Sequence, residues 1–229
     1  PTTGVTLKIA LDSQGGVADL SSEKSERFTC SESLDMVHRL RRVSDAVLVG
    51  RSTVEIDDCT LTVRRVPLVS QGQQESHGET EERNQPVRVI LDAHLNIQLD
   101  HFQIAKDGFE TIIVHVLTDY ADTIDGKMVK GSCVKTRSET FPNVTFLSVP
   151  PINEQGRLRV SARRLCEILR NDFDIDHIMV EGGPNTAAQF LKEGIVDRAI
   201  LVHAPILFKD PLLSNISPAI LKQAGLELI

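Results

Sequence analysis

No apolar run in this chain of 229 residues approaches the ~20 residues that a bilayer core requires, so no membrane-spanning helix is expected. Paired cysteines are missing as well. Cys30, Cys59, Cys133 and Cys166 are scattered without C-x-x-C spacing, which argues against a zinc site or any other metal centre and against a disulfide framework, and suits a reducing compartment. The sequence also lacks a basic excess: 32 acidic against 25 basic residues leave a net charge of −7, which disfavours non-specific nucleic-acid binding. A small anionic ligand would depend on local basic groups. There is no initiator Met before Pro1 and no signal-like segment, as in a processed or partial chain whose targeting peptide would lie outside the sequence. A cytoplasmic setting is expected, with an organelle such as a plastid compatible.

A hydrophobic content of 41% over this length supplies a sizeable core, and apolar segments of strand and helix length alternate through the chain. This alternation predicts an α/β fold with a mixed, mainly parallel central sheet flanked by helices. Strands are expected at Val5 to Leu11, Ala46 to Val49, Val87 to Leu91, Thr111 to Val116, Val144 to Val149, Ile178 to Val180 and Ala199 to Val202, with a last one at Leu226 to Ile229. Thr29 and Glu32 have capping-box spacing ahead of a helix that ends near Arg42, and Ser161 caps a helix whose Leu165, Ile168 and Leu169 face inward. The stretch from about 70 to 85 is too polar for a core element and reads as a flexible surface loop, most simply an insertion without function. His77-Gly78-Glu79 within it has H-x-E form, but no P-C-x-x-C follows and the match reads as chance. No internal repeat is evident. Residues 1–229 read as one domain.

Two segments carry chemistry. In Ile178-Met179-Val180-Glu181-Gly182-Gly183-Pro184-Asn185-Thr186 a buried strand runs into two glycines and a helix that Pro184 can start. Backbone N–H groups and the positive end of the helix dipole at Gly183 favour a phosphate, with the Glu181 carboxylate at the edge. The alternative is a tight strand-to-helix connection without a ligand. The second segment, Gly50 to Arg64, follows another buried strand. There Thr53 can bond a phosphate or ribose, Asp57 can accept from ribose or amide groups, and Arg64 can form a two-bonded pair with a phosphate monoester. Against this, Asp57 and Asp58 could cap a turn, with Arg64 paired to them.

In order along the chain, Val5 to Ala10, Ser25 to Cys30, Val37-His38-Arg39-Leu40-Arg41, the run from Thr53 to Arg64, Pro86 to Asp92, Val180-Glu181-Gly182-Gly183, Gly194 to Asp197 and Ala204 to Leu207 resemble the riboflavin-biosynthesis reductase domain. The likeness covers nearly the whole chain. It implies a dihydrofolate-reductase-like fold and a reductase that uses NADPH to convert a ribosylaminopyrimidine phosphate to its ribitylamino form, by hydride transfer to C1′ of the opened sugar. It implies cofactor contacts at Ala10, Arg27, Thr53, Asp57 and the segment from Gly183 to Gln189, which includes Pro184, Asn185 and Thr186. Substrate contacts are implied at Ser25, Arg41, Leu61, Arg64 and Glu181, with Arg41 and Arg64 at the phosphate and Glu181 orienting the substrate or delivering a proton. A homodimer is implied as well. His38 falls near the buried spacing of its helix and reads as a packed or capping histidine.

Some positions depart from the family pattern. Where S-x-D-G-K is usual after the first strand, this chain has Leu11-Asp12-Ser13-Gln14-Gly15-Gly16, without the basic residue and with the glycine displaced. Cys59 replaces a proline, Ala93 replaces a serine, and a final strand after Leu226 to Ile229 is absent. These departures keep open a non-catalytic descendant that retains nucleotide binding or an interaction role. Reduction of a pterin or folate is the lesser enzymatic alternative.

Overall fold

Strands buried at every position form the middle of the molecule. Ala46 to Val49 and Ile178 to Val180 are fully shielded, a pattern that requires a sheet covered on both faces. The structure, a computed structural model, describes residues 2–21, 28–65, 85–116, 123–124, 127–128, 134–154 and 156–227. In chain order the elements are β1 (Gly4–Leu11), β2 (Gly16–Asp19), α1 (Ser31–Arg42), β3 (Ala46–Gly50), α2 (Arg51–Asp57), β4 (Val87–Leu91), β5 (Thr111–Val116), β6 (Thr123–Ile124), β7 (Lys127–Met128), β8 (Val134–Arg137), β9 (Val144–Val149), β10 (Pro151–Glu154), β11 (Arg157–Val160), α3 (Ala162–Phe173), β12 (His177–Val180), α4 (Pro184–Lys192), β13 (Arg198–His203), β14 (Pro211–Leu213) and α5 (Pro218–Gln223).

Eight strands make one sheet in the order β13-β1-β12-β3-β4-β5-β9-β8. All neighbours in it are parallel except β8 with β9, which is the expected α/β class. Successive side chains of a strand point to opposite faces, and this splits the core in two. Leu48, Val89, Ile178 and Val180 pack under Leu165 and Leu169 of α3 and Phe190 of α4. Val47, Val49, Ile90 and Met179 pack on the other face with Val37 of α1, Val54 of α2 and Leu61. Each such side chain contributes about 1.5–3 kcal/mol by leaving water. Among the described residues no helix is long and apolar enough to cross a membrane.

Several expected boundaries are corrected. The cap of α1 is Cys30 rather than Thr29, which places Glu32 at the second helical position, where a capping box cannot close. Pro151, expected only as a break, opens an antiparallel hairpin of β10 with β11, since proline is tolerated as the first residue of a strand. The pair β2–β14 was not foreseen, because its partners are far apart in sequence. Leu226, expected to start a strand, instead closes α5: its N–H donates to Leu221 O and that of Gly225 to Lys222 O, with Gly225 at φ +83°. Residues 228–229 and the polar stretch 66–84 lie outside the described residues.

A buried arginine ties the second face together. Arg88 of β4 is fully buried and donates to both carboxylate oxygens of Asp107, at 2.5 and 2.7 Å, and to the carbonyls of Ile104, Phe109 and Thr60. Arg88→Ala would remove the counter-ion of Asp107 and one donor from each of these carbonyls, of which Ile104 O and Phe109 O keep Thr111 and Asn143. We expect it to cost ~3–5 kcal/mol, read as a shift of the urea midpoint.

Candidate active site

The carboxyl ends of β12 and β3 and the face of β1 that carries Lys8 bring the chemistry together, as is usual for ligand sites of parallel sheets. Glu181 follows β12 and extends its pairing with β3 by donating its N–H to Leu48 O at 2.9 Å. Its carboxylate accepts Nε and Nη2 of Arg41 at 2.6 and 2.9 Å, while Nη1 of Arg41 donates to Thr62 O at 3.1 Å. Both side chains are close to nine-tenths buried, at 11% and 12% exposure. Burial opposes the charge of Arg41, but the Glu181 carboxylate outweighs it and holds the guanidinium above its ordinary pKa. The last turn of α1 also suits a cation.

Sequence reasoning passed over one neighbour of this pair. Lys8 alternates with the core residues Leu7 and Ile9, so its side chain leaves β1 on the opposite face. Burial lowers its pKa, with Glu181 acting in the raising direction and Arg41 in the lowering one. A charged residue inside an apolar strand was the available signal. Cys59 lies in the same environment, and its thiol is pushed up to about 12, chiefly by burial and then by Asp57, so it is not a thiolate.

The glycine turn is a close-fitting seat. A Cβ on Gly182 would stand 2.5 Å from Cβ of Thr186, and one on Gly50 would stand 2.9 Å from Oγ1 of the same threonine. At Gly183 the nearest atom would be Thr53 Oγ1 at 3.9 Å, which leaves backbone open to an approaching ligand. Pro184 takes the first helical position and no side chain caps α4, so first-turn N–H groups are left without a side-chain acceptor beside Thr53 and Thr186, an arrangement that favours an anion. This fits the phosphate of a nucleotide cofactor.

Thr53, Gly183, Pro184, Asn185 and Thr186 are thus gathered between α2 and α4. Ala10 follows Lys8 on the same face of β1. Asp57 ends α2 and is exposed, while Asp58 does the turn capping, with a left-handed φ of 40° and Oδ1 accepting Gln103 N–H. Leu61 is buried at φ +55°, and exposed Arg64 donates from Nη1 to Thr60 Oγ1 at 2.8 Å. Ser25 and Arg27 lie outside the described residues. The divergent first loop is ordered by Asp12: Oδ1 accepts the N–H groups of Gln14 and Gly16, and Oδ2 that of Phe208. These donors, Phe208 foremost, hold the Asp12 carboxyl below its usual range.

A cavity of about 360 Å³ lies elsewhere, at the start of β1 beside α3. Polar groups in its lining already have partners: Arg170 pairs with Asp176, and Asp197 accepts Val5 N–H.

Glu181→Gln would leave the Arg41 charge buried without its counter-ion. We expect a loss of ~2–4 kcal/mol in urea unfolding, recovered in part when Arg41→Met is added.

Comparison with known proteins shows the family. The RibD C-terminal domain family matches residues 4–210. The riboflavin biosynthesis protein RibD of Aquifex aeolicus is 34% identical over 91% of this chain and 48% of its own length. The 2,5-diamino-6-ribosylamino-4(3H)-pyrimidinone 5′-phosphate reductase of Archaeoglobus fulgidus is 28% identical over 88% of this chain and 80% of its own. The chain therefore spans about half the length of this RibD relative. Among solved structures, Acinetobacter baumannii RibD superposes with a TM-score of 0.67 at 24% identity, covering 94% of this chain and 50% of that one, a likeness of fold. Because the matched residues run from the first strand of the sheet, through the Glu181 turn, to beyond β13, the chain belongs to the RibD C-terminal domain family.

Proposed function

We propose that this chain is an NADPH-dependent reductase of riboflavin biosynthesis, which converts a ribosylaminopyrimidine 5′-phosphate to the ribitylamino form. The observation that carries the reading is a fixed carboxylate, Glu181 held by Arg41, immediately before the Gly182–Gly183 seat. The names of the relatives as ribosylaminopyrimidine phosphate reductases support it.

NADPH, when bound, supplies the hydride that reduces C1′ of the ring-opened ribose. The N-terminus of α4, with Thr53 and Thr186, holds a cofactor phosphate, and Ala10, Asp57 and Asn185 border the same ligand. Glu181 orients the substrate, its carboxylate locked by two bonds so that little reorganisation is needed when the sugar arrives. Lys8 adds a donor on the substrate side. Arg41 is buried against Glu181 and Thr62 whereas Arg64 is exposed at the rim, which favours Arg64 as the phosphate partner. Leu61 packs on the core and bounds the substrate pocket. The free thiols of Cys30, Cys59 and Cys166 suit a reducing compartment such as the cytoplasm.

A homodimer through the sheet edge at β13 completes the proposal. Ala199 to Val202 are half-exposed there, and Ile206 and Leu207 are exposed nearby. Sedimentation is expected to give twice the chain mass, and Leu207→Glu to shift the protein toward monomer.

The test of function is NADPH titration followed by cofactor oxidation on adding the ribosylaminopyrimidine phosphate. Saturable binding with turnover is expected. Thr53→Ala should weaken NADPH binding about 10–100-fold, the loss of one hydrogen bond to an anion. Arg64→Ala should raise the substrate KM about 10-fold or more with the NADPH KM unchanged. Binding without turnover would favour a non-catalytic nucleotide-binding module.

A further inference from the structure

The segment from Thr60 to Arg65 crosses the candidate site without belonging to any strand, although Leu61, Thr62 and Val63 are buried. Buried backbone groups require partners, and here side chains supply them. Arg88 donates to Thr60 O at 3.2 Å and Arg41 to Thr62 O at 3.1 Å. The Gln85 amide bonds Val63 twice, accepting its N–H at 2.7 Å and donating to its carbonyl at 3.0 Å, as a neighbouring strand would. At the far end the backbone N–H of Arg64 donates to Nδ1 of His38 at 3.1 Å. Arg65 then returns to α1, bonding Asp35 and Ser31.

Nδ1 accepts a hydrogen bond, so the His38 ring must carry its proton on Nε2 and be neutral. Its surroundings enforce this. The ring is buried, Arg41 approaches it from its own helix, Arg64 and Arg65 from the segment it holds, and among the described residues Glu181 opposes them from the turn after β12. Burial leads these causes, and together they bring the imidazole down to about 4. The sign follows: the stability contributed by the neutral acceptor is fully present above the ordinary histidine range and is lost as pH falls through about 4. At neutral pH the clamp is closed.

We propose that His38 is a positioning residue for Arg64: its Nδ1 lone pair, with the Gln85 amide, fixes the backbone that presents the Arg64 guanidinium to the substrate phosphate. The proposal rests on the reductase reading above. His38 acts through the Arg64 backbone that it holds. A histidine on the buried face of a helix would otherwise be only a packing residue, and the bond to Arg64 N–H separates the two roles.

The experiment compares His38→Leu, His38→Asn and Gln85→Ala in the full chain with NADPH and the ribosylaminopyrimidine phosphate. His38→Leu and Gln85→Ala are expected to raise the substrate KM about 10-fold, with kcat and the NADPH KM within about 2-fold of wild type. His38→Asn keeps an acceptor near the place of Nδ1 and should recover most of the loss. Nitrogen-15 NMR of wild-type His38 at pH 7 should find Nδ1 unprotonated. An unchanged substrate KM in His38→Leu, no recovery in His38→Asn, or a proton on Nδ1 would each overturn the clamp. Absence of turnover in the wild-type chain would overturn the reductase reading instead, and the NMR result distinguishes that failure from a failed clamp.

Discussion

The ion pair between Glu181 and Arg41 is the constraint on which the site depends. Taking two charges out of water costs several kcal/mol for each ion, and only good geometry with every remaining donor engaged offsets it. Here the carboxylate receives two donors and Nη1 donates to Thr62 O, so α1, the turn after β12 and the segment of Thr60 to Arg65 are fastened at one point. The pair is better understood as a device of specificity than of stability. It fixes where a carboxylate stands beside an anion seat, and an apolar pair of equal volume would not.

The same logic governs the rest of that segment. A chain that passes through a buried site without a strand partner would expose backbone groups to an apolar environment, and four side chains prevent this. Arg88 and Gln85 act from the sheet side, His38 and Arg41 from α1. The candidate site residues Leu61 and Arg64 therefore sit on irregular backbone that a rigid scaffold holds from both sides, which permits precise placement without a regular ladder. Leu61, at a positive φ and buried, shows the local strain that such an arrangement tolerates.

Departures from the family pattern are absorbed by local bonds. Asp12 orders the first loop through three backbone donors, and Gly15, at φ +86°, takes the position that only glycine adopts easily. Cys59, in the place of a usual proline, stays a protonated thiol beside the ion pair, so the replacement introduces no charge. Gly225 and Leu226 end α5 as a closed helix terminus where the strand from Leu226 to Ile229 was expected to start.

What the sequence determined by itself was local. Runs such as Ala46 to Val49 and Ile178 to Val180 announced buried strands, the helix face of Leu165, Ile168 and Leu169 announced its own burial, and Glu181-Gly182-Gly183-Pro184 announced a strand, a turn and a helix start. These features arise within a few residues and leave a periodic or positional trace. Tertiary structure alone decided that Arg41 serves Glu181, 140 residues away, that Lys8 joins them, that Arg88 and Gln85 hold the Thr60 to Arg65 backbone, and that His38 accepts from Arg64. A side chain's type states what bonds it can make. The partner is chosen by which element the sheet order and helix packing bring within 3 Å, and no spacing along the chain encodes that choice.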